Sequence, residues 1–81
     1  MPTLKDIFKK EKIWWKKCLV LETYHVLHEI SNNDWHLRDT SRELKCSLGY
    51  VSEELSLAKA LKDNEGLKML SRNGALKAVK K

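Results

Sequence analysis

Between Thr3 and Ile30 the chain carries neither Gly nor Pro, so nothing local stops a helix once it has begun. The start is marked: Thr3 offers a cap hydroxyl, and Asp6 stands three residues on, in the capping-box position. Placed at about 100° per residue, Leu4, Ile7, Phe8, Trp14, Trp15, Cys18 and Leu21 fall on one face, with Lys9, Lys10, Lys12, Lys16 and Lys17 opposite. From Leu19 onward the apolar face moves round to Leu19, Val20, Thr23, Val26, Leu27 and Ile30. One long helix of this kind meets two different partners. The expectation is an amphipathic helix over 3–18 that continues or kinks into a helix over 19–30, with any break near Trp15 to Cys18.

The remaining 51 residues of the 81 read as shorter helices. "SNND", residues 31–34, is a run of turn and cap formers. A helix follows from Leu37 to about Leu44, with Leu37, Thr40, Ser41 and Leu44 on one side. "KCS" turns the chain, and Ser47 is a good N-cap. In the next helix Leu48, Val51, Leu55 and Ala58 share a face, with Leu61 beside it, and the helix runs to Leu61 or Lys62. "KDNEG" is a loop; the tail then offers Leu67 and Leu70, a break at Asn73–Gly74, and a last turn or two holding Leu76 and Val79. No strand pattern or internal repeat is visible. The fold class expected is all-α: four or five helices in a single domain over 1–81, with a three-helix core around 19–61 and a basic helical tail over 63–81.

Charge is unevenly spread. The net is +5, but residues 1–17 carry +4, 18–34 carry −3, 35–58 carry −1 and 59–81 carry +5. The two basic ends are the natural contacts for a polyanion. Two cysteines, Cys18 and Cys46, are too few for a disulfide framework and fall at apolar positions, which suits reduced core thiols. His25 and His28 stand one turn apart without a nearby Cys or Asp to complete a tetrahedral set, so no metal and no cofactor is expected. No nucleophile, base and orienting acid occur in a plausible framework, and the chain is read as a non-enzyme. No apolar run approaches the roughly 20 residues that span a bilayer, and lysines interrupt the first apolar stretch, so a soluble, cytoplasmic protein is expected.

The stretch "LRDTSRELKCSLGYVSEELS", residues 37–56, carries the most information. Ser41 is a small residue where two helices can cross closely, Leu44 ends the first helix, Cys46 follows the turn, and Val51 is the core residue of the second. In these features the chain resembles the helix-turn-helix of bacterial and phage DNA-binding proteins. "GYVS", residues 49–52, is similar to the "SYVS" of the ParB-like group of partition proteins and regulators. The resemblance covers about a quarter of the chain. It implies a second helix whose N-terminal half enters the major groove. Two positions depart from the pattern: Lys45 stands where the turn usually has Gly, and Glu54 where an apolar residue is usual.

On that likeness the base-reading candidates are Ser47, Leu48, Gly49, Ser52, Glu53 and Ser56. Ser can bond several bases, Glu can accept from a cytosine amino group, and Leu can touch a thymine methyl. None of the six is a Lys or Arg, so affinity must come from phosphate contacts. The candidates for these are Arg38, Arg42, Lys45, Tyr50, Lys59 and Lys62, with Lys68, Arg72, Lys77, Lys80 and Lys81 in the tail. Phe8, Trp14 and Trp15 are read as a core or dimer face, and Trp35 as a cover over the helix crossing. The expected partner is double-stranded DNA, bound by a homodimer acting as a transcriptional or replication/partition regulator of phage or plasmid type. The alternative is a protein-interaction module that grips a polymerase, nuclease or packaging component, with no membrane partner in either case.

Overall fold

The protein, seen in a computed structural model, is described over residues 3–79, which are all-helical with no strand among them. The order is α1 Leu4–Lys10, α2 Trp14–Ser31, α3 Leu37–Leu44, α4 Leu48–Asp63, a 3-10 turn over Glu65–Met69, and α5 Arg72–Val79. Lys80 and Lys81 lie outside the described residues.

The capping box at the start of α1 forms as its residues suggest. Thr3 Oγ1 accepts from the Asp6 amide at 3.3 Å, and Asp6 Oδ2 accepts from the Thr3 amide at 3.2 Å. The Thr3 amide first, and second the Thr3 hydroxyl, which lies 3.2 Å from the same Oδ2, hold the Asp6 carboxyl below its ordinary value of 3.8. The expected continuous or kinked helix over 3–30, however, is two helices, and the break falls at 11–13 instead of near Trp15 to Cys18. Glu11 takes extended backbone, and its carboxylate accepts from the Ile13 amide at 3.1 Å. Packing gives the reason. Unbroken, residues 4–31 would span about 42 Å, whereas the molecule's longest dimension is 32 Å. The break lets Phe8 join Leu21, Tyr24, Leu44 and Val51 in one apolar cluster. Trp14 and Trp15 cover a second cluster, made of Cys18, Leu57, Ala58, Leu61, Leu67 and Ala75.

α2 and α4 make the most extensive helix contact, and the two clusters lie along it. On α2 the buried residues are Cys18, Leu21, Tyr24 and His25. The other apolar face of this helix stays open: Val26, Leu27 and Ile30 are 41%, 50% and 75% exposed, too much for residues with a partner in the chain. A polar group of three sits beside Tyr24, with His25 and Thr40 buried and Trp35 half-buried. The Trp35 indole N–H donates to Thr40 Oγ1 at 2.8 Å, and His25 Nδ1 lies 2.6 Å from the same oxygen. The Thr40 hydroxyl thus links the indole to His25, whose other ring nitrogen faces Glu29 at 3.5 Å. His28 stacks on Trp35 with ring centres 4.2 Å apart. Both histidines are thus absorbed by the core and its rim, and Trp35 covers the crossing.

α3 occupies 37–44 as expected, and its end is closed by local chemistry. Lys45 is left-handed (φ 56°, ψ 45°). Its amide bonds the Arg42 carbonyl at 3.3 Å, and the Cys46 amide bonds the Ser41 carbonyl at 2.9 Å, the paired closure of a Schellman motif. Ser47 then caps α4, its Oγ accepting from the Tyr50 amide at 3.1 Å. The core face of α4 is Val51, Glu54, Leu57, Ala58 and Leu61; Leu48 and Leu55, expected on that face, sit at its exposed edges.

The tail differs from expectation in one respect. Asn73 and Gly74 lie inside α5 and do not break it. Ser71 sets the boundary instead, its Oγ accepting from the Gly74 amide at 3.2 Å and its carbonyl from the Ala75 amide at 2.9 Å. The segment is tied down from the far end of the sequence by the Trp14 indole, which donates to the Leu70 carbonyl at 2.9 Å.

Candidate nucleic-acid interface

α3, the turn at 45–47 and α4 pack on α2, and this decides which side chains of α4 face outward. With Val51, Glu54, Leu57, Ala58 and Leu61 turned in, the exposed stripe is Leu48, Gly49, Ser52, Ser56 and Lys59. Four of the six base-reading candidates therefore share one open strip with Lys59. Ser47 lies at its head, exposed, with its oxygen engaged in the cap. Glu53 lies to the side, half-buried, with Arg72 Nη2 3.5 Å from its carboxylate.

Gly49 is the least expected member. No heavy atom lies within 4 Å of where its Cβ would be, and its φ is not positive. Neither packing nor backbone conformation in the chain requires glycine there, while glycine in a helix is unfavourable relative to alanine. With no side chain and open space around it, the backbone at this position can be approached closely from outside the chain.

Beside the head of the strip lies an open groove of about 650 Å³, lined by Leu48, Arg38 and Arg42, with Asp34 and Asp39 on its walls. Arg38 and Arg42 are exposed and one turn apart on α3. Lys45, at the turn, is exposed as well. These three cations surround the start of α4, where the helix dipole and the first free amides also favour an anion.

The other phosphate candidates are less free. Lys62 Nζ lies 2.7 Å from Glu22 Oε1. Tyr50 is half-buried, with the Arg72 guanidinium 4.8 Å from its ring centre. Burial first and the Glu54 charge second push its phenol up to about 12. Arg72 itself is spent on Glu54, its Nε donating to Oε1 at 2.8 Å. Burial alone would lower the Arg72 pKa, but the bond and charge of Glu54 more than offset it and the pKa is raised. Lys68 Nζ sits 4.5 Å from the Trp15 ring centre, and Lys77 is exposed near the far end of α5. Lys59 borders a second cleft with Ser52 and Ser56, whose other wall carries Glu22, Val26 and Glu29.

Phe8, Trp14 and Trp15 all face the core clusters, Phe8 buried and the two indoles half-buried, so these side chains serve folding within one chain. Glu54 takes the position where the helix-turn-helix pattern has an apolar residue, and it is buried there. It is 1% exposed, in the interior, and does not stand near the outward face. Its Oε2 makes no hydrogen bond, and its charge adds to burial in pushing the neighbouring Cys18 and Cys46 thiols up. The complementary signal, an arginine in the tail, could not be matched to it without knowing that α5 folds back.

Among the described residues no group of His, Cys, Asp and Glu could hold a metal ion, and no helix is long and apolar enough to cross a membrane. No protein-family model, curated protein or solved structure matches this chain.

Proposed function

We propose that the chain is a small sequence-specific binder of double-stranded DNA, a transcriptional or replication/partition regulator of phage or plasmid type, using α3 and α4 as a helix-turn-helix. The carrying observation is the bare, open Gly49 on a strip with Leu48, Ser52 and Ser56, adjoining a groove that holds Arg38 and Arg42. In this reading Ser52 and Ser56 meet base edges, Leu48 meets a thymine methyl, and Gly49 lets the helix approach the groove floor. Arg38, Arg42 and Lys45 hold phosphates on the near strand, and Lys59 reaches one further along. Arg72 lies between Glu53 and Glu54 and cancels one of their two charges; Glu54 is turned into the interior, so the remaining negative charge beside the strip is that of Glu53.

The test is selection of bound duplexes from a random pool at moderate salt. Enrichment of a defined site is expected. A pool bound without enrichment would leave only a non-specific clamp, and no bound DNA would overturn the reading.

One observation favours a protein-interaction module instead. Glu22 and Glu29 edge the cleft beside Ser52 and Ser56, where they would repel phosphate. Salt separates the two, since DNA affinity falls steeply with salt and an apolar protein contact does not.

A further inference from the structure

The apolar face of α2 that the core leaves uncovered is built as a helix seam. Leu19, Thr23, Val26 and Ile30 follow one another at spacings of four, three and four, and Leu27 widens the strip. That alternation keeps side chains in line along one side of a helix and is the spacing by which two helices interlock. Thr23, Val26, Leu27 and Ile30 are exposed; Leu19, at the head of the strip, is half-buried, resting partly on the cluster of Cys18 and Leu57 and partly open. Beside Leu27, between α1 and α2, lies a shallow cleft lined by Leu4, Tyr24 and His28, with a mostly apolar wall. Isolated apolar residues on a surface need no explanation, but three large aliphatics within five positions on one helix face do.

We infer that this seam is covered by a second copy of the chain, its α2 lying antiparallel across a two-fold axis. Charge identifies the occupant and its direction. Exposed Lys12 and Lys16 stand just before and within the first turn of α2, and exposed Glu29 and Asp34 within its last turn and just after it. An antiparallel copy sets the basic end of each helix against the acidic end of the other. A parallel copy would place Lys16 beside Lys16 and Glu29 beside Glu29. An axis midway between Thr23 and Val26 puts Leu19 of one copy against Ile30 of the other, and Thr23 against Val26, twice over by symmetry. Thr23 spends its hydroxyl on the Leu19 carbonyl at 2.9 Å, so it presents its methyl to the seam without an unmet donor. The dimer surface is thus the outer face of α2, not the Phe8, Trp14 and Trp15 face, which the chain uses for its own core.

Sedimentation equilibrium across a range of concentrations tests this, with no DNA present, so a failed DNA selection leaves the result intact. The wild-type chain should reach twice its monomer mass. Val26→Ser with Ile30→Ser should fall to monomer mass with its far-ultraviolet circular dichroism unchanged, since both residues are exposed; Ile30→Lys alone, at the most open position, is the second variant. A wild-type monomer at every concentration, or a dimer indifferent to these changes, would overturn it. Direction is read by cross-linking on a Cys46→Ser background. Leu19→Cys mixed with Ile30→Cys should give a disulfide-linked pair while neither links to itself. Self-linking of Ile30→Cys would mean a parallel seam and would overturn the antiparallel assignment.

Discussion

At position 45 a lysine occupies left-handed backbone, and at position 49 a glycine occupies ordinary helix. The two are reversed with respect to conformational preference, and each reversal makes a measurable prediction. Left-handed backbone costs an L-residue about 1–2 kcal/mol, part of which glycine returns through its freer unfolded chain. Lys45→Gly should therefore stabilise the fold by about 0.5–1 kcal/mol in urea unfolding. A loss of stability would mean that the lysine side chain makes a contact worth more than the strain. Gly49→Ala should also stabilise, by about 0.5 kcal/mol, because the new methyl meets open space and alanine is the better helix former. In a DNA-binding assay the same variant should bind its selected site more weakly. Stabilised protein with unimpaired binding would remove Gly49 from the interface. Asp6 gives a third residue-scale outcome. Its carboxyl is held low by the Thr3 bonds, so the cap is intact above the ordinary carboxyl value of 3.8 and is lost as pH falls through the lowered pKa. The Thr3 amide resonance, followed through an acid titration, should move only below that value.

Helix boundaries set by local groups were mostly legible in the sequence, the Ser71 start of α5 excepted, and those set by packing were not. The Thr3 and Ser47 caps and the whole of α3 follow from residues within three or four positions of one another. The break at 11–13 does not, because it comes from the separate destinations of Phe8 and the two tryptophans. The same limit hid the pairing of Glu54 with Arg72, which are 18 residues apart. The outward strip of α4 was largely legible, because helical periodicity sorts Ser52 and Ser56 from Val51 and Leu61. Its neighbours Glu53, Tyr50 and Lys62 were not, since each is claimed by a residue from another helix. The ion pair makes a prediction at this scale. Arg72→Met leaves the Glu54 carboxylate buried without its partner and should cost about 3 kcal/mol, less than for a fully enclosed pair because the arginine is partly solvated. Replacing both, Glu54→Leu with Arg72→Met, should return stability to within about 1 kcal/mol of the wild type. If the double variant is as unstable as the single one, the pair has a packing role that charge does not describe.

Across the whole molecule, folding ties down part of the positive charge carried by the two ends. Lys62 meets Glu22, Arg72 meets Glu54, and Lys68 lies over Trp15, while Arg38 and Arg42 remain exposed on the groove at the head of α4. Cutting the tail away is accordingly a poor test of its charge, since Ala75 is fully buried in the core and Arg72 is the partner of Glu54. Neutralising side chains in place separates the roles. Each phosphate released should reduce the slope of log affinity against log salt by about 0.9. Arg38→Gln with Arg42→Gln should therefore flatten the slope by about 1.8 and weaken all duplexes alike. Ser52→Ala with Ser56→Ala should leave the slope and change which duplex is preferred. Lys68→Gln with Lys77→Gln should do neither, because these lysines, on the 3-10 turn and α5, do not line the groove of Arg38 and Arg42. If that tail pair flattens the slope while the arginine pair does not, DNA lies against the 3-10 turn and α5, and the strip on α4 faces a protein.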